Sequence, residues 1–305
     1  MDILPNEILE LILNLVSDVH CGFARVSKRF NELFIIIKEE RIKDEKECFE
    51  QFSSLVIFTS YGKTSIFKKT CQLGNKYVVD CMISKGEENW DKGMSNAAEG
   101  GQKNLVEFFM LKGASNWNKG MCHAAEGGQK DLIEFFISKE ANDWNKGMYG
   151  AAKGGFKELV KFFIEKGAND WDNGMYAAAK GGYKDLIEFF ILMGTNDWNL
   201  GMYGAARGGH KALVEFLISK GADNWNGGMF AAAEGGHQHL VDFFIKKGTK
   251  DWNNGMYGAA RGGHKELVEF FIEKGANDWR MGKIGAAHGR HQHLIDFFKE
   301  KQVSK

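Results

Sequence analysis

Tryptophan recurs every 27 residues along most of this chain, without a single insertion or deletion. The eight indoles are Trp90, Trp117, Trp144, Trp171, Trp198, Trp225, Trp252 and Trp279. A unit of 27 residues is too short to bury its own apolar face, so neighbouring units must stack to share a continuous core. The sequence therefore predicts a solenoid, and function is expected on an extended surface rather than in a deep pocket.

The charges of the chain balance. Its 305 residues include 40 basic and 40 acidic ones, so the formal net charge is zero. Such a chain has no overall attraction to nucleic acid or to an anionic membrane. Five cysteines, none at a recurring repeat position, favour a reducing compartment. Acidic residues stand where a signal peptide needs basic ones, and no apolar run reaches the ~18 residues of a membrane span. We expect a cytoplasmic monomer that binds neither nucleic acid nor membrane.

Each unit contains two short helices separated by glycines. With Trp144 counted as position 1, the pattern predicts a first helix over residues 145–153 and a second from near Phe156 to Gly167. Residues like Asp170, which precede each tryptophan, are candidate N-caps, and the paired alanines permit close helix approach. The apolar residues of the second helix share one face, and Gly167 is expected to adopt a left-handed conformation.

This unit resembles an ankyrin repeat. It contains Met-x-x-Ala-Ala-x-Gly-Gly-His, as in Met202–His210, and Leu-Val-x-Phe-Leu-Ile-x-x-Gly-Ala, as in Leu213–Ala222. An ordinary ankyrin repeat has about 33 residues, and the missing ones fall where ankyrins carry a β-hairpin finger. The chain's only proline is Pro5, so the family's Thr-Pro turn is absent as well. The resemblance implies an all-α, ankyrin-like helix-turn-helix solenoid with 27-residue repeats and no fingers.

The edges of the array diverge from the repeat pattern. Residues 63–89 keep the second-helix pattern but carry Thr70 and Cys71 in place of the alanine pair, which predicts a divergent first repeat. Residues 90–305 then form eight repeats. In the last repeat Arg290 replaces a glycine and residues 299–301 are charged, which predicts the polar outer face that a terminal cap needs.

Residues 1–40 carry a second resemblance. They open with Leu-Pro-x-Glu-Ile-Leu-x-x-Ile-Leu and close with Val-Ser-Lys-Arg-Phe-x-x-Leu, a pattern similar to an F-box. This resemblance implies binding to the Skp-type linker subunit of a cullin-RING ubiquitin ligase. The linker-binding residues it implies are Leu4, Pro5, Ile8, Ile12, Val26, Phe30 and Leu33. The alternative interpretation is an amphipathic N-terminal cap for the array, since so short an apolar segment cannot form a core alone.

Residues 41–62 are rich in charges of both signs and are predicted to be a charged linker between the two parts. The combination of an F-box-like segment with Asn-Asp-Trp-Asn-x-Gly-Met-Tyr-Gly-Ala-Ala repeats is similar to proteins from large DNA viruses of amoebae. That resemblance implies the cytoplasm of a host cell as the location.

Two local patterns suggest chemistry but favour structural roles. Gly62-Lys63-Thr64 follows an apolar run, as in a phosphate loop, yet Ile57 occupies the place of the loop's first glycine. The pairs His237/His239 and His291/His293 would point about 160° apart on a helix, which disfavours a shared metal. Because no nucleophile, paired carboxylate or metal-ligand set recurs at usable spacing, we expect no enzyme activity, no cofactor and no metal.

The tryptophans allow two interpretations. They form either a ligand platform or a structural staple that replaces the lost hairpin, and the apolar area of an indole favours the staple.

Sequence variation among repeats points to the first-helix face. Position 10 carries a basic run of three between acidic neighbours, and position 6 carries aromatic residues beside it. Tyrosine beside arginine is typical of protein-binding hot spots. The predicted target-binding residues are Tyr149, Lys153, Tyr176, Lys180, Tyr203 and Arg207. The alternative is a solvated face whose tyrosines pack between repeats.

Together these features predict a non-enzymatic adaptor that brings an unidentified target protein to a ubiquitin ligase. The alternative function is an ankyrin-like scaffold or inhibitor that binds a host protein without ubiquitin machinery.

Overall fold

The computed structural model describes residues 60–84 and 86–303 of the chain. Within these residues every regular element is an α-helix, and there are 18 helices and no strands. The F-box-like residues 1–40 and most of the predicted linker, up to residue 59, lie outside the described residues. The chain divides after Ala114 into two compact parts.

The first part contains four helices, α1 (Ser60–Leu73), α2 (Lys76–Ser84), α3 (Trp90–Glu99) and α4 (Lys103–Leu111). Helix α3 packs against α1 and α4, and the Phe67 and Phe109 rings meet edge to face with their centroids 6.2 Å apart. Residues 62–64 lie inside α1, whereas a phosphate loop must lie between a strand and a helix.

The second part consists of two helices from each of the seven remaining repeats. The first helices are α5 (Trp117–Glu126), α7 (Trp144–Gly154), α9 (Trp171–Gly181), α11 (Trp198–Gly208), α13 (Trp225–Gly235), α15 (Trp252–Gly262) and α17 (Trp279–Gly289). The second helices are α6 (Lys130–Ser138), α8 (Lys157–Glu165), α10 (Lys184–Leu192), α12 (Lys211–Lys220), α14 (Gln238–Lys246), α16 (Lys265–Glu273) and α18 (Gln292–Val303). Successive first helices pack on one another, and each carries the second helix of its own repeat. This serial packing confirms the predicted helical solenoid.

The helix limits follow from local sequence, as predicted. Helix α7 begins at Trp144 because the Asp143 side chain accepts a hydrogen bond from the backbone N–H of Lys146 at 3.1 Å. It ends because Gly155 is left-handed, with φ of 83°. The second helix of this repeat is followed by Gly167, also left-handed with φ of 111°.

The core is a column of seven positions that repeats along the second part. In the Trp144 repeat the buried side chains, each at most 6% exposed, are Met148, Ala151, Ala152, Leu159, Val160, Phe163 and Ala168. Ile164, predicted for the same face, is only half-buried. Each large apolar side chain of this column contributes about 1.5–3 kcal/mol of burial free energy.

The short segment between repeats is held by an asparagine at position 2. The Asn145 side-chain oxygen accepts hydrogen bonds from the backbone N–H groups of Asn169 and Asp170, at 2.8 and 3.0 Å. Trp144 is half-buried, and a Cβ on Gly167 would lie 3.9 Å from its Cδ1, so the indole covers the turn of its own repeat. The asparagine thus ties the inter-repeat segment, which is the place where an ordinary ankyrin repeat carries its hairpin.

Glu140 replaces the turn glycine after α6 and is forced into the left-handed region, with φ of 70°. We expect Glu140→Gly to stabilise the protein by about 1 kcal/mol, because a non-glycine residue is strained there. Urea unfolding measures the change. Glu134→Gly, at an exposed position in the middle of α6, is the matched control and should destabilise by a similar amount. A lower stability of Glu140→Gly would contradict the strain at this turn.

Candidate functional site

Aromatic side chains at position 6 of five successive repeats form a continuous stack on the first-helix face. The rings of Tyr149, Tyr176, Tyr203, Phe230 and Tyr257 follow one another with centroids 6.2, 6.2, 5.9 and 5.7 Å apart. Tyr176 and Phe230 are buried, and the other three are half-buried. The rings therefore pack between repeats and hold the first-helix face rigid, while three of them keep part of their surface in solvent.

Three hydroxyl groups of this aromatic stack, those of Tyr176, Tyr203 and Tyr257, connect their repeats to position 10 of the next repeat. Arg207 donates to the Tyr176 hydroxyl at 3.1 Å, and the Tyr203 hydroxyl donates to Glu234 at 3.2 Å. The Tyr257 hydroxyl lies 2.7 Å from Nδ1 of His288. Positions 6 and 10 thus form one network that crosses the interfaces between repeats.

Ion pairs within this network neutralise two of the three predicted target-binding cations. Lys153 pairs with Glu126. Arg207 Nη2 lies 2.6 Å from Oε1 of Glu234, and Arg261 Nε lies 3.4 Å from the same oxygen. The Glu234 side chain is only 4% exposed, and a carboxylate at the end of a helix is disfavoured by the helix dipole, so it depends on these arginines. Sequence reasoning did not assign either acid, although the alternation of sign along position 10 was a usable signal.

Lys180 is different from its neighbours in the position-10 row. It lies between Lys153 and Arg207 in repeat order and is half-buried. Its side chain makes no ion pair or hydrogen bond with the described residues, whereas the Arg207 side chain at the same position donates to the tyrosine of the preceding repeat. Burial, followed by the positive charges of Arg207 and Lys153, lowers the pKa of Lys180 from 10.5 to about 8.

Histidines at position 13 connect adjacent repeats on the turn side. In His210, His237, His264 and His291, Nε2 lies 3.1 or 3.2 Å from the position-10 carbonyl oxygen of the preceding repeat. Because a carbonyl only accepts, each ring donates from Nε2. In the first part Gln102 donates to the equivalent carbonyl of Gln72 at 3.1 Å. These side chains are structural connectors.

The prediction that the rings of His237 and His239 point away from each other on a helix is wrong. His237 is the N-cap of α14, with φ of −97° and ψ of 79°, so it is not helical. Its ring therefore does not point away from that of His239, and the two centroids are 6.0 Å apart. Nε2 of His237 is directed to the carbonyl of Arg207, so this nitrogen is engaged within the fold.

The position-13 histidines predict a loss of stability in mild acid. Burial lowers the pKa of His237, His264 and His291 below 6.5, the ordinary value. The folded state then binds fewer protons than the unfolded state, so stability is complete above about pH 6.5 and falls as the pH drops toward the folded-state pKa values. Thermal melts at about pH 7.5 and 5 measure this fall.

Glutamine is the matched control, since Gln102 makes the same hydrogen bond without titrating. The triple variant His237→Gln, His264→Gln and His291→Gln should show a smaller acid-induced fall in melting temperature. An unchanged fall would assign the pH dependence to other groups.

Comparison with known families identifies part of the array. The model for Ankyrin repeats (3 copies) matches residues 202–281. No curated protein matches the chain. Residues 202–281 are thus similar to ankyrin repeats, a family whose members typically bind other proteins and lack enzymatic activity. Among the described residues, no helix combines the length and apolar character needed to cross a membrane.

Proposed function

We propose that the chain is a non-enzymatic adaptor, in which the repeats bind a target protein and residues 1–40 bind the Skp-type linker subunit of a cullin-RING ubiquitin ligase. The target half rests on one observation above all. The Lys180 side chain is half-buried on the face that carries the aromatic stack and has no acidic partner of its own among the described residues. A charged group that its own fold leaves unpaired, beside half-buried aromatic rings, is typical of a surface completed by a partner.

The six predicted target-binding residues lie on three adjacent helices. Helices α7, α9 and α11 each contribute one tyrosine at position 6 and one cation at position 10. The tyrosines form the stack and supply contact area that is already ordered, so binding loses little side-chain entropy there. Lys153 and Arg207 retain half-exposed side chains but bind acids within the chain, so we assign them to the margin of the site.

The target face is tested by Lys180→Glu. Reversing Lys153 or Arg207 is a poorer test, because a new acid would face Glu126 or Glu234 and destabilise the fold. We expect Lys180→Glu to lose partners that the wild type captures from a cell lysate. Lys274→Glu, at an exposed position after α16, should capture the same set as wild type. Identical sets for all three proteins would contradict a target site on this face.

The ligase half is supported by the motif residues of the F-box resemblance, and its test uses the full chain. The double variant Leu4→Ala with Pro5→Ala should no longer bind the linker subunit, while the melting temperature of the array stays unchanged. Glu10→Ala, at a variable position of the motif, is the control and should bind normally. If the double variant binds the linker subunit normally, or if it lowers the melting temperature of the array, residues 1–40 are an N-terminal cap instead. The array would then act as a scaffold or inhibitor.

A further inference from the structure

We infer that Lys180 receives a single carboxylate side chain from the bound polypeptide, so that the target carries one acidic residue flanked by apolar or aromatic ones. This inference rests on the proposed target-binding function and specifies the chemistry of its partner.

Most position-10 side chains in the second part are paired with one another or with a tyrosine. Glu126 pairs with Lys153, and Glu234 pairs with both Arg207 and Arg261. His288, in the last repeat, is bonded to Tyr257. Within this position-10 row, only the Lys180 side chain has no partner among the described residues. The row therefore offers one unmatched positive charge at a defined point.

Lys180 lies in surroundings that disfavour an unpaired positive charge. Its neighbours Lys153 and Arg207 have the same sign, and both direct their charge to acids further along the row. A half-buried ammonium is costly without an anion, because desolvation and like charges both oppose its charged form. An incoming carboxylate removes that cost. One monoanion matches one unpaired cation, whereas a phosphate dianion would bring excess negative charge between Glu126 and Glu234.

The aromatic stack near Lys180 indicates which residues flank the acidic residue of the bound polypeptide. The Tyr149 and Tyr176 rings stack with their planes 28° apart, and the exposed part of this stack is apolar apart from the hydroxyl groups. Aromatic and apolar side chains pack well on such a surface. A peptide with several adjacent acids would place its remaining charges against these rings, so a single acid in an apolar context fits better.

Proton linkage gives this contact a signature. The charges of Arg207, Lys153, Glu126 and Glu234 act on Lys180. The other titratable groups at positions 6 and 10 nearby are Tyr176, one turn earlier on its own helix, and Tyr149 and Tyr203 on α7 and α11. Burial and like charge hold the free pKa at about 8, and a bound carboxylate raises it. Affinity should therefore fall as the pH rises above about 8, whereas an ordinary lysine stays charged to about pH 10.

The probe is a random dodecapeptide library displayed on phage, selected at about pH 7 against the full chain. Wild type should enrich peptides with one Asp or Glu among apolar or aromatic residues. Lys180→Met should lose this acid preference, and Lys180→Glu should select Lys or Arg at the same place in the peptide. Equal melting temperatures establish that the variants fold, and the Met variant alone suffices if the Glu variant does not.

The best selected peptide, made synthetically, then tests the linkage. Its Kd should weaken on the order of tenfold between about pH 7 and pH 9.5 for wild type. Lys180→Arg should bind it with no such weakening, because arginine does not titrate in this range. An acid preference that persists in Lys180→Met, no acid preference in wild type, a pH-independent Kd, or tighter binding of a phosphoserine version would each overturn the inference.

The two proposals fail in different ways. Selected peptides that compete with a captured target but show no acid preference refute only the carboxylate at Lys180. A target whose capture survives Lys180→Glu refutes the proposed face itself.

Discussion

Gly147→Ala should destabilise the protein by about 3 kcal/mol, even though alanine is the better helix former by about 1 kcal/mol. Gly147 lies in α7 against the ring of Phe163, and an added Cβ would lie 2.2 Å from the ring atom Cε1. Phe163 is fully buried, so its ring has no free space into which it can move. The repeat therefore requires glycine at position 4 wherever phenylalanine stands at position 20.

The chain contains its own control for this prediction. In the Trp198 repeat Leu217 stands in place of the phenylalanine, and a Cβ on Gly201 would meet only the ends of flexible side chains, Met175 Cε at 3.1 Å and Leu217 Cδ2 at 3.2 Å. Gly201→Ala should change the free energy of unfolding by less than about 1 kcal/mol. Urea unfolding of both variants measures the difference, and equal losses would refute the role of the ring.

Glu234→Ala should destabilise the protein by about 3 kcal/mol, the second large effect. The carboxylate is almost fully buried and accepts from Arg207 and from the Tyr203 hydroxyl, with Arg261 beside it. Without it, two half-exposed arginines repel each other and a tyrosine hydroxyl loses its acceptor.

An exposed glutamate provides the comparison. Glu269, 3.7 Å from Lys265 and half-exposed, forms an ordinary surface pair within α16. Glu269→Ala should cost less than about 0.5 kcal/mol. Chemical unfolding of both variants at the same pH gives the two free energies. If Glu234→Ala costs no more than Glu269→Ala, the network at positions 6 and 10 does not stabilise the stack of repeats.

Glu234 and Lys180 should have different roles on the same face, one in stability and the other in recognition. Glu234 should matter for folding, because all its partners lie within the chain. Lys180 should matter for binding and little for folding, because it has no described partner to lose. The row of position-10 side chains thus combines structural pairs with one position that is open to a target.

The sequence by itself determined the repeat length, the helix limits and the buried column. Asp143 as an N-cap, glycines as the end of the first helix, Gly167 as a left-handed end, and Phe163 in the core were all expected from residue type and spacing. These features depend on interactions within a few residues or on the helical period, and both can be read directly from one chain.

Only the tertiary structure decided which side chains meet across repeats. Asn145 holds backbone groups 24 and 25 residues away, and His237 reaches a carbonyl 30 residues away. The same kind of cross-repeat contact pairs Lys153 with Glu126 and Arg207 with Glu234. These pairs leave the Lys180 side chain without an acidic partner. Periodicity establishes that repeats stack, but the rotation and spacing of neighbouring helices decide which atoms come within hydrogen-bonding distance, and those quantities arise only when the side chains of adjacent repeats pack.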